Sequence, residues 1–233
     1  MKFVLSWMLV GAAMQAANGE SATLVRAVEA RYARAETLRA EFYERYHAGN
    51  GGGQAESGIV YFSKPGRMRW EYESPEPKLF VVDGKNVWFY VPADRTASRA
   101  PVKESEDWRT PLSLLTGKMH LDRLCNQIQL LDEASGTSAP ADLPYDPRNR
   151  ILRCLPRNSK DPNEQPGFRE ILFEVSPEAE LERVVIREPG DIETEFRFGN
   201  WRENLPLAES KFHFEPPPGV TIVNEEDLAK GIH

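Results

Sequence analysis

Hydrophobic and polar residues change their period along this chain. From Ser21 to Phe42, "SATLVRAVEARYARAETLRAEF", the residues Leu24, Val28, Tyr32 and Ala35 recur at helical spacing behind a capping Ser21, which predicts one amphipathic helix with a stripe to bury. From about Leu38 the period falls to two. Strands are predicted near 40–47, 57–63, 67–73, 78–83, 86–91, 126–131, 150–155, 167–175, 181–187 and 192–201. Turn residues separate them at Gly49–Gly53, Pro65-Gly66, Asp83-Gly84 and Pro189-Gly190-Asp191. Such short links imply an antiparallel meander, and a twisted sheet of that many strands curls into a barrel or half barrel. "SEDWRTPLSLLTGK", residues 105–118, predicts a short helix with Leu112, Leu114 and Leu115 apolar. Near the end, Lys211–Phe214 reads as extended, three prolines leave any ladder, and a last strand is expected around Val220–Val223. The fold class is therefore mainly β (α+β), with amphipathic helices available to cap the sheet.

Parity assigns faces in one hairpin. Along "SGIVYFSKPGRMRWEY", Val60, Phe62 and Lys64 share a parity with each other, as do Met68, Trp70 and Tyr72 beyond the turn, while Arg67, Arg69 and Glu71 take the opposite one. The inner face is expected to hold Val60, Phe62, Met68 and Trp70, with Lys64 at its edge. In "KLFVVDGKNVWFYV" nearly every position is apolar, so parity leaves either face open to burial.

The N-terminus changes the setting. Lys2, an apolar run from Phe3 to Met14 and the triplet Ala17-Asn18-Gly19 have the layout of a secretory signal peptide, too short to span a bilayer. Residues 1–19 are expected to be removed, leaving a single domain over 20–233. Lys2 is the only charged residue in that leader, and the whole chain carries a formal charge of −7. An acidic exported domain is a poor partner for nucleic acid or anionic membranes. Cys125 and Cys154 flank the polar segment 132–149 on two expected strands; their spacing allows a disulfide and leaves it open, because the Cα separation of about 4.4–6.8 Å cannot be read from sequence. The segment itself, "DEASGTSAPADLPYDPRN", is expected as an exposed loop. No catalytic, nucleotide-binding or metal-ligand spacing accompanies these features, so neither an enzyme nor a cofactor is expected.

Five pieces together carry a resemblance: the helix leading into "LRAEFYERY", then "GIVYFSKPGRMRWEYESP", "VVDGKNVWFYVP", "TPLSLLTG" and "FRFGNWRENLPLAESKFHFEPPPGVTIV". In this order, across essentially the whole chain after the leader, they resemble the outer-membrane lipoprotein carrier family, the periplasmic LolA family. The resemblance implies an unclosed β-barrel with helices as a lid over a hydrophobic cavity. It also implies a carrier that takes lipoproteins from an inner-membrane ABC release complex, shields their acyl chains across the periplasm and passes them to an outer-membrane acceptor. On that basis the cavity is expected to be lined by Leu24 and Val28, by Val60, Phe62, Met68 and Trp70, by Leu79, Val81 and Trp88, and by Leu112 and Leu115. Lys64 takes the place of the basic residue before Pro-Gly at the cavity mouth, with a role in cargo release. A lysine snorkelling off an apolar edge explains it equally well on the residues alone. The chain is expected to act as a monomer. The same fold would also suit a periplasmic domain that senses lipids or lipoproteins without moving them.

Overall fold

The computed structural model describes residues 7–49, 53–102, 120–131, 144–157 and 167–224. Its order is helix α1 (Trp7–Arg34), strands β1 (Thr37–Ala48), β2 (Gln54–Ser63), β3 (Arg67–Ser74), β4 (Lys78–Val82), β5 (Asn86–Val91) and β6 (Thr96–Pro101). After these come α2 (Leu121–Leu124), β7 (Cys125–Leu131), β8 (Arg150–Pro156), β9 (Glu170–Val175), β10 (Leu181–Glu188), β11 (Ile192–Glu203), a 3₁₀ turn (Glu209–Phe212) and β12 (Thr221–Asn224). The twelve strands follow the order β12-β6-β5-β4-β3-β2-β1-β11-β10-β9-β8-β7, so the sheet is unclosed, with β12 and β7 as its end strands. The fold is thus mainly β and antiparallel, apart from β12, which runs parallel to β6.

Three local expectations need correction. The N-terminal helix does not continue to Phe42 but stops at Arg34, and β1 starts at Thr37. Ala, Glu, Leu and Arg in "AETLRAEF" are good helix formers, yet Leu38, Ala40, Phe42 and Glu44 are buried in alternation with more exposed neighbours, and this two-residue burial decides the outcome. Lys211–Phe214 is not extended at its start, because Glu209–Phe212 forms a 3₁₀ turn. The strand β6, "TASRAP", escaped the sequence pattern since Ala97 is its one fully buried side chain. The expected helix at 105–118, with Leu112 and Leu115, lies outside the described residues, as do positions 132–143 of the insertion.

The chain forms two compact units. The first comprises Met1–Arg31, Tyr46–Gly52 and His120–Phe196; the second comprises Tyr32–Arg45, Gly53–Met119 and Arg197–His233. In the first unit, one sheet face buries Leu152, Cys154, Ile171, Phe173, Val184 and Ile186. Its opposite face carries a smaller apolar cluster of Ile151, Leu172 and Val185, followed by a buried ionic group. There Arg183 donates to Glu174 (2.7 Å), Glu195 (3.3 Å) and the carbonyl of Pro144 (2.6 Å), and Glu174 accepts from Asn149 (2.8 Å) and the Asp146 amide (3.1 Å). These bonds fasten residues 144–149, the end of the insertion, onto the sheet. Cys125 and Cys154 are joined by a disulfide with Cα atoms 5.4 Å apart, linking β7 to β8.

In the second unit, β2 and β3 approach closely at Gly58. A Cβ built there would stand 1.9 Å from the carbonyl oxygen of Glu71, at the point where the register shifts between Ser57 and Gly58. Only a residue without a side chain fits this irregularity.

Candidate functional site

The hairpin β2–β3 builds the site outward from its register. Val60 faces Trp70 and Phe62 faces Met68 across it; on the next strand, Phe80 faces Trp70 and Val82 faces Met68. Residues opposite one another share a face, so these six side chains form one continuous apolar surface. All are buried, from 0 % exposure at Val60 and Trp70 to 7 % at Met68 and Val82.

Aromatic rings extend it. Phe42 of β1 meets Trp70 edge-on at 4.8 Å and Tyr72 at 5.0 Å, and Phe62 reaches Trp70 at 6.1 Å. From β11, Phe198 lies 6.2 Å from Trp70, with Trp201 5.4 Å beyond it and Tyr32 of α1 5.7 Å from Trp201. These separations fall in the range of favourable tilted and edge-to-face pairs. Near β1's far end the surface turns polar: the Tyr72 hydroxyl donates to Glu44 Oε2 at 2.8 Å, and the Glu44 carboxylate is buried.

At the opposite edge stands Lys64, on the turn between β2 and β3. Its ammonium donates to the Ala33 carbonyl and its amide to Glu36 O at 3.1 Å. The last carbonyls of a helix carry partial negative charge, so a cation is favoured there. The exit from α1 is fixed by three more bonds: Glu36 N to Asn204 Oδ1 (2.9 Å), Asn204 N to Thr37 O (2.8 Å), and Thr37 Oγ1 to Leu205 O (2.7 Å). Lys64 therefore bridges the hairpin and the helix end at an exposed edge.

Leu79, Val81 and Trp88 do not join the Trp70 face. Val81 pairs with Arg69, Leu79 with Glu71, and Trp88 with Val81, which puts all three on the opposite side of the sheet. There Val81, Trp88, Ala97 and Phe214 form a separate core with Leu79, Tyr90 and Val220. The ring of Phe214 lies 5.5 Å from Trp88 and 5.3 Å from Tyr90. Phe80 and Val82, which the sequence pattern did not single out, take the expected places. The cue was arithmetical: had the turn between Ser74 and Lys78 been known, Trp70's parity would have carried to Phe80. Leu24 is half-buried and Val28 buried on the part of α1 that belongs to the first unit, and Leu112 and Leu115 lie outside the described residues.

The C-terminal segment crosses this opposite side as a strap. Arg69 donates to Glu71 (2.6 Å) and to the Lys211 carbonyl (3.1 Å), Lys211 Nζ to Glu71 (3.1 Å), and Arg67 to Glu209 (3.4 Å). The Lys211 ammonium also sits 3.8 Å from the Tyr61 ring centroid, a cation–π contact. Burial pushes the Glu71 carboxyl up, but the bonds from Arg69 and Lys211 outweigh it and hold the group below its usual range.

Comparison with known proteins shows what this chain is similar to. Residues 33–137 match the family model "Outer membrane lipoprotein carrier protein LolA". An outer-membrane lipoprotein carrier protein of Nitrosomonas europaea is 29 % identical over 171 residues, covering 72 % of this chain and 73 % of that one. Its counterpart in Chromobacterium violaceum is 28 % identical over 223 residues, 93 % of this chain and 96 % of that one. A crystal structure of an uncharacterized conserved protein from Thermus thermophilus superposes with a TM-score of 0.53 at 13 % identity, covering 88 % of this chain and 99 % of that chain; it shares the fold.

Proposed function

We propose, on the premise that this chain belongs to the LolA family of outer-membrane lipoprotein carrier proteins, that it binds the acyl chains of lipoproteins on the Trp70 face and delivers them to the outer membrane. Proteins of this family are carriers rather than enzymes. In this reading the cargo comes from an inner-membrane ABC release complex and goes to an outer-membrane acceptor. The family is periplasmic, and the Cys125–Cys154 disulfide is consistent with that oxidising compartment. Residues 1–19 would serve as the export leader and 20–233 as the carrier domain.

The observation that carries the proposal is the continuous apolar surface of Val60, Phe62, Met68, Trp70, Phe80 and Val82, clasped at one edge by Lys64. Each methylene taken from water gains about 0.8 kcal/mol, so acyl chains need such a surface to cross an aqueous space. The rings and Met68 already fill the face with their own side chains, so cargo enters by displacing them. Met68 and the edge-packed aromatics can repack at moderate cost. The competition keeps binding reversible, since what the cargo gains is reduced by the self-packing it disrupts.

The clasp gives Lys64 its role: the Lys64–Ala33 bond holds the end of α1 against the hairpin when the face is empty and re-forms as cargo leaves. A reconstituted assay tests both statements, with a fluorescent triacylated lipoprotein loaded on the purified protein and outer-membrane vesicles as acceptor. Wild-type protein is expected to transfer cargo, and Lys64→Leu to load normally but transfer several-fold more slowly. Failure of the wild type to load contradicts the carrier reading; unchanged transfer by Lys64→Leu removes the clasp from it.

A further inference from the structure

The first unit contains a concavity that the carrier reading does not use. It has a volume of about 540 Å³ and is lined by three arginines (Arg153, Arg169, Arg187) and three carboxylates (Glu170, Asp191, Glu193), with His47 and Ile192. The elements that meet there are the end of β1, β8, the start of β9, the end of β10 and the turn into β11. Its backbone is tied by Gly49 N to Asp191 O (2.9 Å) and by Arg169 N to Arg187 O (2.6 Å).

Three guanidinium groups line it, and they are engaged unequally. Arg187 is held on both sides, with Nη1 on Glu170 Oε1 at 3.1 Å and Nε on Glu193 Oε2 at 2.9 Å. Arg153 bonds through Nε to the other oxygen of the same Glu170 at 2.5 Å. Glu170 thus orients Arg153 and leaves its two terminal nitrogens without a partner among the described residues. Among the described residues Arg169 has one side-chain contact, Nη2 to Asp191 Oδ1 at 3.5 Å, and that aspartate is 82 % exposed. Two guanidinium groups with donors unoccupied among the described residues, one on β8 and one just before β9, therefore border one hollow beside an imidazole.

We propose that this hollow binds a phosphate group carried on an organic molecule. Two guanidinium groups with donors to spare match a phosphate group, whose three terminal oxygens can accept from both forks at once. The volume exceeds that of a bare phosphate and falls within the roughly 300–1,000 Å³ of small-molecule sites. Asp191 acts as a placeholder: it occupies Arg169 when the site is empty and competes with the incoming anion. The proposal is independent of the carrier function, since all of these residues belong to the first unit.

The test is an NMR titration of the folded protein with two separate probes, glycerol 3-phosphate in solution and vesicles of phosphatidylglycerol. Saturable shifts of the His47 ring, the Ile192 amide and the Arg153 and Arg169 Nε–H signals are expected from at least one probe. Response to glycerol 3-phosphate identifies a soluble phosphate ester, and response to the vesicles alone a lipid headgroup. Arg169→Gln disturbs only an exposed 3.5 Å contact and should weaken binding roughly tenfold, as expected for loss of a charge-assisted fork. Asp191→Asn removes the competitor, keeps a side chain compatible with the positive φ of 56°, and should tighten binding about two- to fivefold. Absence of saturable shifts with both probes overturns the proposal, and so does unchanged affinity in Arg169→Gln.

Discussion

Trp70 sits where Phe42, Phe62 and Phe198 converge, and the residues around it divide the labour of the site. The rings and Met68 supply apolar area, Lys64 fixes an edge, and the Tyr72–Glu44 bond ends the surface in a polar pair. A buried carboxylate needs its donors, because leaving it short of one exposes the desolvation cost of the charge. Tyr72→Phe should accordingly lower stability by about 1–3 kcal/mol with little change in shape, measured as a shift of the urea midpoint at constant slope. No shift would mean that solvent or another group replaces the hydroxyl. Gly58 makes a second residue-scale demand: Gly58→Ala forces the Glu71 carbonyl to move and should destabilise the hairpin, visible as faster amide exchange across β2 and β3 than in the wild type.

At the scale of elements, the strap and the disulfide hairpin are the parts most open to test. Phe214 is 9 % exposed and fills the space between Trp88 and Tyr90, so Phe214→Ala should cost about 3 kcal/mol, read by thermal or chemical denaturation. The pH dependence has a defined sign. Glu71 has its carboxyl lowered in the folded protein, so the stabilisation from its bonds to Arg69 and Lys211 is present above the ordinary carboxylate pKa and is lost as pH falls through the lowered one. Strap amides should keep their exchange protection, corrected for intrinsic rate, from about pH 8 to about pH 5 and lose it only in the more acidic range; loss near neutrality would assign the hold to another group. The Cys125–Cys154 bond closes a separation of 29 residues, for which the chain-entropy relation gives about 3–4 kcal/mol. Replacing both cysteines by serine should lower the denaturation midpoint to match.

What the sequence revealed also differs by element. The β2–β3 hairpin was legible because Arg67, Arg69 and Glu71 mark one parity as wet, and Val60, Phe62, Met68 and Trp70 are indeed buried together. The β4–β5 hairpin was not, because both its faces are apolar: Phe80 and Val82 face the Trp70 side, and Leu79, Val81 and Trp88 lie under the strap. Nothing local in "KLFVV" distinguishes cover by the sheet's own interior from cover by a segment far along the chain. The end of α1 was obscured for a related reason, since helix-forming residues were drawn into β1 by burial of alternate positions. Lys64 stands out in the sequence as a cation at an apolar edge, but its partner is a backbone carbonyl, which leaves no mark in a sequence.

For the whole molecule, the central claim is that a chain of formal charge −7, with no catalytic spacing in its sequence, carries acylated cargo on the apolar face of its second unit. The most direct measurement is native mass spectrometry, with lipid analysis, of the protein purified from the periplasm without detergent. Met68 lies at the less buried rim of the face, at 7 % exposure, so Met68→Asp is the matching variant once circular dichroism has established that it folds. The account predicts acylated polypeptides bound to the wild-type protein and lost from Met68→Asp. A wild-type protein that is always empty, or a folded Met68→Asp variant that keeps its cargo, would contradict it.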